Sequence, residues 1–340
     1  MTRSTRNQPV CWSRKLLLAA IISIAPLAPA HGLDMNSVNK AELPAKRERL
    51  GKGLVPAVIK AQVLLDRAYF SPGEIDGRLA ENTRKAIGLF EDTHGLPRDG
   101  KLSPDVWSQL VATSGDPVLK EYRIEASDVK GPFLKELPSK MEAMSHLKHL
   151  SYTSSRQEIA EKFHMSQHLL KALNPGKPFD KSGDTIVVAN VTDDPPAQKA
   201  ARIEVDKAKR ELRVFDEDGS LIFAAPATIG SAEKPAPSGT LKITSVTHNP
   251  TYRYNPAYHF KGVHANRPFT IRPGPNNPVG VVWIGLSRQG YGIHGTPDPS
   301  KVSKNASHGC IRLTNWDALM LAAMVKRGMP VAFLDDGHTS

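Results

Sequence analysis

Cysteine is nearly absent from this 340-residue chain: Cys11 and Cys310 are the only two. Beyond residue 30 no apolar run approaches the ~20 residues that a membrane-spanning helix needs, which excludes a polytopic membrane protein. No tight metal-ligand pair such as C-x-x-C or H-E-x-x-H occurs, nor any nucleotide or flavin motif, so neither a metal nor a cofactor is expected. Acid is also in short supply, with 34 Asp and Glu against 45 Lys and Arg, a formal +11. Charged residues at 23% and hydrophobic residues at 40% mark a packed, soluble chain rather than a disordered one. The basic balance alone would suggest nucleic acid, so the compartment has to be settled first.

The N-terminus points to export. Arg3, Arg6, Arg14 and Lys15 form a positive segment without acid, and Leu16–Leu27 is a short apolar core. Ala28-Pro29-Ala30 fits the small-x-small cleavage pattern, so residues 1–30 read as a signal peptide. Its loss leaves about +7, with no transmembrane anchor and no access to nucleic acid. An anionic extracytoplasmic polymer such as cell wall becomes the natural partner, and the expected location is the periplasm, associated with the wall. Cys11 departs with the signal. Cys310 is then the only thiol, and no intrachain disulfide can form.

Residues 31–54 are polar and read as a linker. From Val55 the apolar spacing turns helical through Leu65, a second helix is expected over Asn82–Phe90, and a third over Pro104–Leu110, capped by Ser103. Asp76-Gly77 and Asp99-Gly100 place a turn after each of the first two helices, as in a near-duplicated unit. Together with Gln62, Phe70, Gly73, Asn82-Thr83, Ala86, Phe90, His94-Gly95-Leu96, Trp107 and Leu110, this run over 55–112 resembles the helical peptidoglycan-binding domain. It departs from that pattern at Glu91, where the family often has Gln. Residues 113–149 read as a connector. Over 150–191, the sequence Tyr152-Thr153, Ile159–Phe163, Leu169-Leu170, Leu173–Gly176 and Ser182–Ile186 resembles a LysM module of strand, two helices and strand. The module is degenerate, because Ser154-Ser155-Arg156 replaces the usual Gly-Asp-Thr, so a spacer and a glycan binder are both open readings.

Beyond Asp193–Pro196 the pattern turns to strands at Ala201–Val205, Glu211–Phe215, Leu221–Ile229, Gly239–Val246, Val279–Leu286 and Val331–Leu334. Residues 248–278 hold eight aromatic or His residues and six Pro, and read as a lid. Thr314 and Asp317 form a capping box opening a helix to Met324. The expected architecture is multidomain: a small all-α three-helix domain, a LysM-like α+β module, and over 201–335 a mainly-β sandwich or barrel with one packed helix.

The chemistry concentrates in Ile293-His294-Gly295-Thr296 and in Ser307-His308-Gly309-Cys310-Ile311-Arg312-Leu313, with twelve residues between His294 and Ser307. A neighbouring imidazole can activate a thiol, Gly309 lets backbone approach a substrate carbonyl, and N–H groups around Cys310 can meet an oxyanion. That is an acyl-transfer site on spacing alone. A buried structural Cys310, a zinc site using His264, His294, His308 and Cys310, and an ordinary surface Arg312 are the plainer alternatives.

With Gly230, Pro237-Ser238-Gly239 and Gly274-Pro275-x-Asn277-Pro278-x-Gly280, this pattern resembles the L,D-transpeptidase family. The resemblance implies Cys310 as nucleophile, His294 as general base and acid, and the Gly295 carbonyl as the group orienting His294. It further implies Ser307, His308 and Gly309 around the oxyanion pocket, and Arg312 holding the loop or a substrate carboxylate. The implied reaction is attack on the bond before the terminal D-Ala of a peptidoglycan tetrapeptide stem, then transfer of the thioester. A second stem gives a 3→3 crosslink, an envelope-protein lysine an anchored protein, and water a carboxypeptidase. A hydrolase of crosslinks on the same scaffold and a non-catalytic wall-binding protein are the alternatives. Inhibition by carbapenem-like β-lactams is also implied.

Overall fold

The structure is a computed structural model that describes residues 1–2, 33–45, 53–230, 234–258, 263, 265–304 and 309–335. The expected signal peptide lies outside the described residues. The described residues from Leu33 onward belong to one compact unit.

Three helices build the first part: α2 (Pro56–Arg67), α3 (Glu81–Thr93) and α4 (Pro104–Ala112). Pro56 starts α2 where a missing N–H costs nothing, and Ser103 Oγ caps α4 by accepting the Val106 N–H at 3.2 Å. Both Asp-Gly turns are tied in the same way. Gln62 Oε1 accepts the Asp76 and Gly77 N–H groups at 3.1 and 2.8 Å, and Glu91 Oε2 accepts those of Asp99 and Gly100 at 2.9 and 2.8 Å. Glu91 is therefore a buried turn anchor. The expected linker also has structure: α1 (Met35–Asn39), capped by Asp34, buries Val38, and Asn39 Oδ1 accepts the Leu119 N–H at 2.8 Å.

The next part differs from the sequence reading. Its first strand lies not at Tyr152-Thr153 but within the expected connector, at β1 (Leu119–Arg123), antiparallel to β2 (Thr185–Ala189). Between them come a short α5 (Met141–Met144), α6 (Ser155–Lys162) and α7 (Gln167–Leu173). The strand–helix–helix–strand order is present, with residues 124–154 inserted after its first strand.

The last part is one mixed sheet. Its strands are β3 (Arg202–Asp206), β4 (Glu211–Phe215), β5 (Leu221–Pro226), β6 (Thr228–Ile229), β7 (Gly239–His248), β10 (Val282–Leu286), β11 (Gly292–His294), β12 (Ile311–Arg312) and β13 (Pro330–Leu334), in the order β5-β4-β3-β13-β7-β10-β11-β12-β6. A small hairpin, β8 (Tyr252–Tyr254) with β9 (Phe269–Ile271), stands apart from it within the expected lid segment. The first half of β7 pairs with β13 and its second half with β10, and both halves of the sheet, with α8 (Asn315–Met324), bury one core that includes Val205, Val214, Ile284, Ile293, Leu321 and Val331. This is a sandwich with one packed helix. The run expected as a single strand at 221–229 breaks at Ala227. Pro226 has no N–H to continue the ladder and the Ala227 N–H donates to Arg210 O at 2.9 Å, so β5 and β6 end on opposite edges of the sheet.

The three parts are fastened together. Ala224 of edge strand β5 donates to Tyr69 O at 2.9 Å and accepts from Ser71 N–H at 2.8 Å. Arg98 bonds buried Glu211 at 2.7 Å. His164, between α6 and α7, lies between Asp66 of α2 (3.1 Å) and Asp193 (3.4 Å) and stacks on Trp316 of α8, centroids 5.3 Å apart.

Candidate active site

Two short strands set the site. β11 pairs in parallel with β12, Ile293 opposite Ile311 and His294 opposite Arg312. Ile293 and Ile311 bury into the sandwich core, which fixes the register and turns His294, Cys310 and Arg312 to the opposite face, with Cys310 two positions from Arg312, the partner of His294. The Leu313 N–H donates to His294 O at 2.9 Å and closes this arrangement. Opposite His294 on β10 stands Trp283, whose ring stacks on the imidazole at 5.6 Å, and Gly292 leaves room for that indole.

His294 is 4% exposed, and its Nδ1 lies 2.7 Å from Gly295 O. A carbonyl can only accept, so Nδ1 carries the proton and Nε2 keeps a lone pair. Burial, with Arg312 nearby, pushes the imidazole down to about 3, so it is neutral at physiological pH. Cys310 is partly exposed, its Sγ 3.7 Å from Gly290 O, and burial pushes its thiol above the ordinary value against the opposing effects of the Gly292 backbone, Lys234 and Arg312. The pair at rest is thus thiol and neutral imidazole, not a preformed ion pair. Gly309 adopts φ +95°, and a Cβ there would lie 3.0 Å from the Tyr291 ring, so only glycine fits beside Cys310. Arg312 is half-buried beside Cys310.

Of the residues expected from sequence, Cys310, His294, Gly295, Gly309 and Arg312 converge here, while Ser307 and His308 lie outside the described residues. Among the described residues no group of three His, Cys, Asp or Glu is placed to hold a metal ion; His264 and His308 fall outside them. Sequence reasoning missed Trp283 and Lys234. Lys234 runs over the Tyr291 ring at 5.9 Å and over Gly309. It also missed the bracing of the loop between β11 and β12. Asn82 Nδ2 donates to Val302 O at 3.2 Å, Lys85 Nζ to Ser303 Oγ at 2.8 Å and Arg210 to Ser303 O at 2.9 Å.

A family model described as the L,D-transpeptidase catalytic domain matches residues 200–332, and a peptidoglycan binding domain matches 55–110. A Bacillus licheniformis protein named L,D-transpeptidase YkuD is 31% identical over 178 residues, covering 52% of this chain and 91% of that relative. The Escherichia coli protein named L,D-transpeptidase YbiS is 26% identical over 188 residues, 54% of this chain and 61% of that one. A solved L,D-transpeptidase from Mycobacterium smegmatis aligns with 19% identity and a TM-score of 0.33, over 45% of this chain and 64% of the other. The chain thus spans most of the first relative but less than two thirds of the other two. No helix of the described residues is long and apolar enough to cross a membrane.

Proposed function

The chain belongs to the L,D-transpeptidase family, and from its site we propose that it transfers peptidoglycan stem peptides through a thioester on Cys310. One observation supports the reading: the parallel β11–β12 register puts Cys310 and His294 on the same face of neighbouring strands, and Gly295 O fixes the tautomer of His294.

In the first half-reaction His294 Nε2 takes the Cys310 proton as sulfur attacks the carbonyl carbon of the third stem residue. The C–N bond to D-Ala breaks, the imidazolium hands its proton to the departing amine, and a thioester remains. In the second half-reaction an amine attacks the thioester, its proton passes to His294, and the thiolate leaves and is reprotonated. Backbone N–H groups at Gly309 and Cys310, with Ser307 and His308, would line the oxyanion pocket, and Arg312 would hold the loop or a carboxylate of the stem. Because burial keeps thiol and imidazole neutral at rest, proton transfer is left to the moment of attack.

The α2–α4 unit supports retention on the polymer, which raises the local substrate concentration. We read β1–α6–α7–β2 as the LysM-like module, interrupted by residues 124–154. The location that follows is extracytoplasmic, on the wall.

Intact-mass spectrometry with a purified tetrapeptide muropeptide tests this. The wild-type chain should gain an acyl adduct and release free D-Ala, and Cys310→Ala should do neither. Crosslinked, hydrolysed or lysine-linked products then identify the acceptor. The absence of adduct with both the stem peptide and a carbapenem would overturn the reading.

A further inference from the structure

The carbonyl that holds His294 belongs to Gly295, and Gly295 is itself backed by a side chain. Asn315, at the first turn of α8 and 4% exposed, is packed against both Gly295 and Gly280: a Cβ at either glycine would lie 2.3 or 2.1 Å from Asn315 Oδ1. The same oxygen accepts the Val281 N–H at 3.3 Å. Its amide nitrogen donates to Pro275 O at 3.2 Å and to Glu161 Oε2 at 2.8 Å. Glu161 does not belong to the catalytic part; it sits on α6 of the preceding module, 8% exposed.

The contact is not isolated. From the same module, Gln157 Nε2 donates to Asn276 Oδ1 at 2.9 Å, Ser151 O accepts from Asn276 Nδ2 at 2.7 Å, and Leu150 O accepts the Asn276 N–H at 2.9 Å. Gly274 passes so close to Leu150 that a Cβ would lie 2.3 Å from its carbonyl oxygen. The segment 273–281 is thus pinned on one side by the accessory module and on the other by Asn315.

We infer that Glu161 is a positioning residue for the reaction: it clamps Asn315, which wedges against Gly295 and so fixes the carbonyl that orients His294. The module that precedes the catalytic part therefore supplies part of its support. This role rests on the reading of His294 as the base, but its geometry can be measured without substrate. Burial pushes the Glu161 carboxyl up to about 7, so charged and uncharged forms coexist near neutrality. Either form can accept the Asn315 N–H, and glutamine should substitute for it.

The test uses the full chain with 15N-labelled histidine. The buried His294 Nδ1–H, assigned by its loss in His294→Gln, is expected to exchange slowly in the wild type. In Glu161→Ala its exchange should accelerate about tenfold, and the maximal rate of Cys310 acylation should fall about tenfold with half-saturation unchanged, a cost in keeping with small misplacements of a catalytic group. Glu161→Gln should stay within about twofold of wild type on both measures, and Glu161→Ala/Asn315→Ala should be no worse than Asn315→Ala, because the two act in series. Glu158→Ala, on the same helix and outside the hydrogen bonds of the Asn315 amide nitrogen, reports any general loosening of α6. The inference is overturned if Glu161→Ala keeps wild-type ring exchange, if its losses merely track a lowered melting temperature as in Glu158→Ala, if Glu161→Gln is as impaired as Ala, or if the double variant is additive. A wild type that makes no acyl adduct would defeat the proposed reaction while leaving the ring-exchange comparison intact.

Discussion

Gln62 and Glu91 hold the two Asp-Gly turns of the helical unit with the same pair of backbone bonds, but only one of them carries a charge. Gln62 uses its amide nitrogen as well, donating to Asp76 Oδ1 at 2.9 Å. Glu91, 1% exposed, has a carboxyl raised by burial, which outweighs the lowering by its bonds to the Gly100 and Asp99 N–H groups, with the Asp99 carboxylate adding to the rise. A group raised in the fold binds its proton more tightly there, so its ionisation weakens the fold as pH climbs past the unfolded value. Glu91→Gln should keep both turn bonds, give Asp99 a donor and remove the buried charge. The expected gain at pH 7 is about 1 kcal/mol, or roughly 2–4 °C in melting temperature, measured by calorimetry; a drop would show that the carboxylate itself is required. The departure from the family pattern at this position is thus a variation in how a turn is held.

At the scale of elements, the loop from β11 to β12 depends on a helix from another part of the chain. Asn82 and Lys85 of α3 contact Val302 and Ser303, and the loop ends at Cys310. Replacing both with Ala removes two bonds of about 1 kcal/mol each, so amide hydrogen exchange at 300–304 should quicken and acylation should slow several-fold. Unchanged exchange there would mean that Arg210 and Thr228, whose Oγ1 accepts the Ser303 N–H at 2.8 Å, suffice to hold the loop. Such dependencies were not legible in the sequence, whereas the motif residues were. Cys310 and His294 sit within short signature segments, and α2, α3, α4 and α8 announce themselves by apolar spacing and by Pro56, Ser103 and Thr314 at their starts. β1 gives no such signal. Only its first residue is fully buried, the others alternate between half-buried and exposed, and its partner β2 comes some sixty residues later. Helix α1 is too short to show a period. The pairing of Glu161 with Asn315 joins residues 154 apart and could be found only in three dimensions.

At the scale of the molecule, His164 is the point where the three parts meet. Burial alone would lower its imidazole, but Asp66 and Asp193 outweigh that and hold it up at about 10. Its stabilisation is complete below the unfolded value of ~6.5 and is lost as pH rises toward 10. Buried Glu161 and Asp317, both pushed up to about 7, act in the same direction from about pH 4 to 7. Melting temperature should therefore be highest on the acid side of neutrality and decline into alkali, and His164→Gln should flatten the decline between pH 7 and 10. An equally steep decline in the variant would move the origin of the slope elsewhere. The pairing of Tyr69 and Ser71 with Ala224 has a different consequence. A sheet that ends in an open strand offers its unpaired N–H and C=O groups to any other chain with the same shape. Here the helical unit that matches a peptidoglycan binding domain bonds to that edge at Ala224, so the same unit also blunts the edge of the catalytic sheet against self-association.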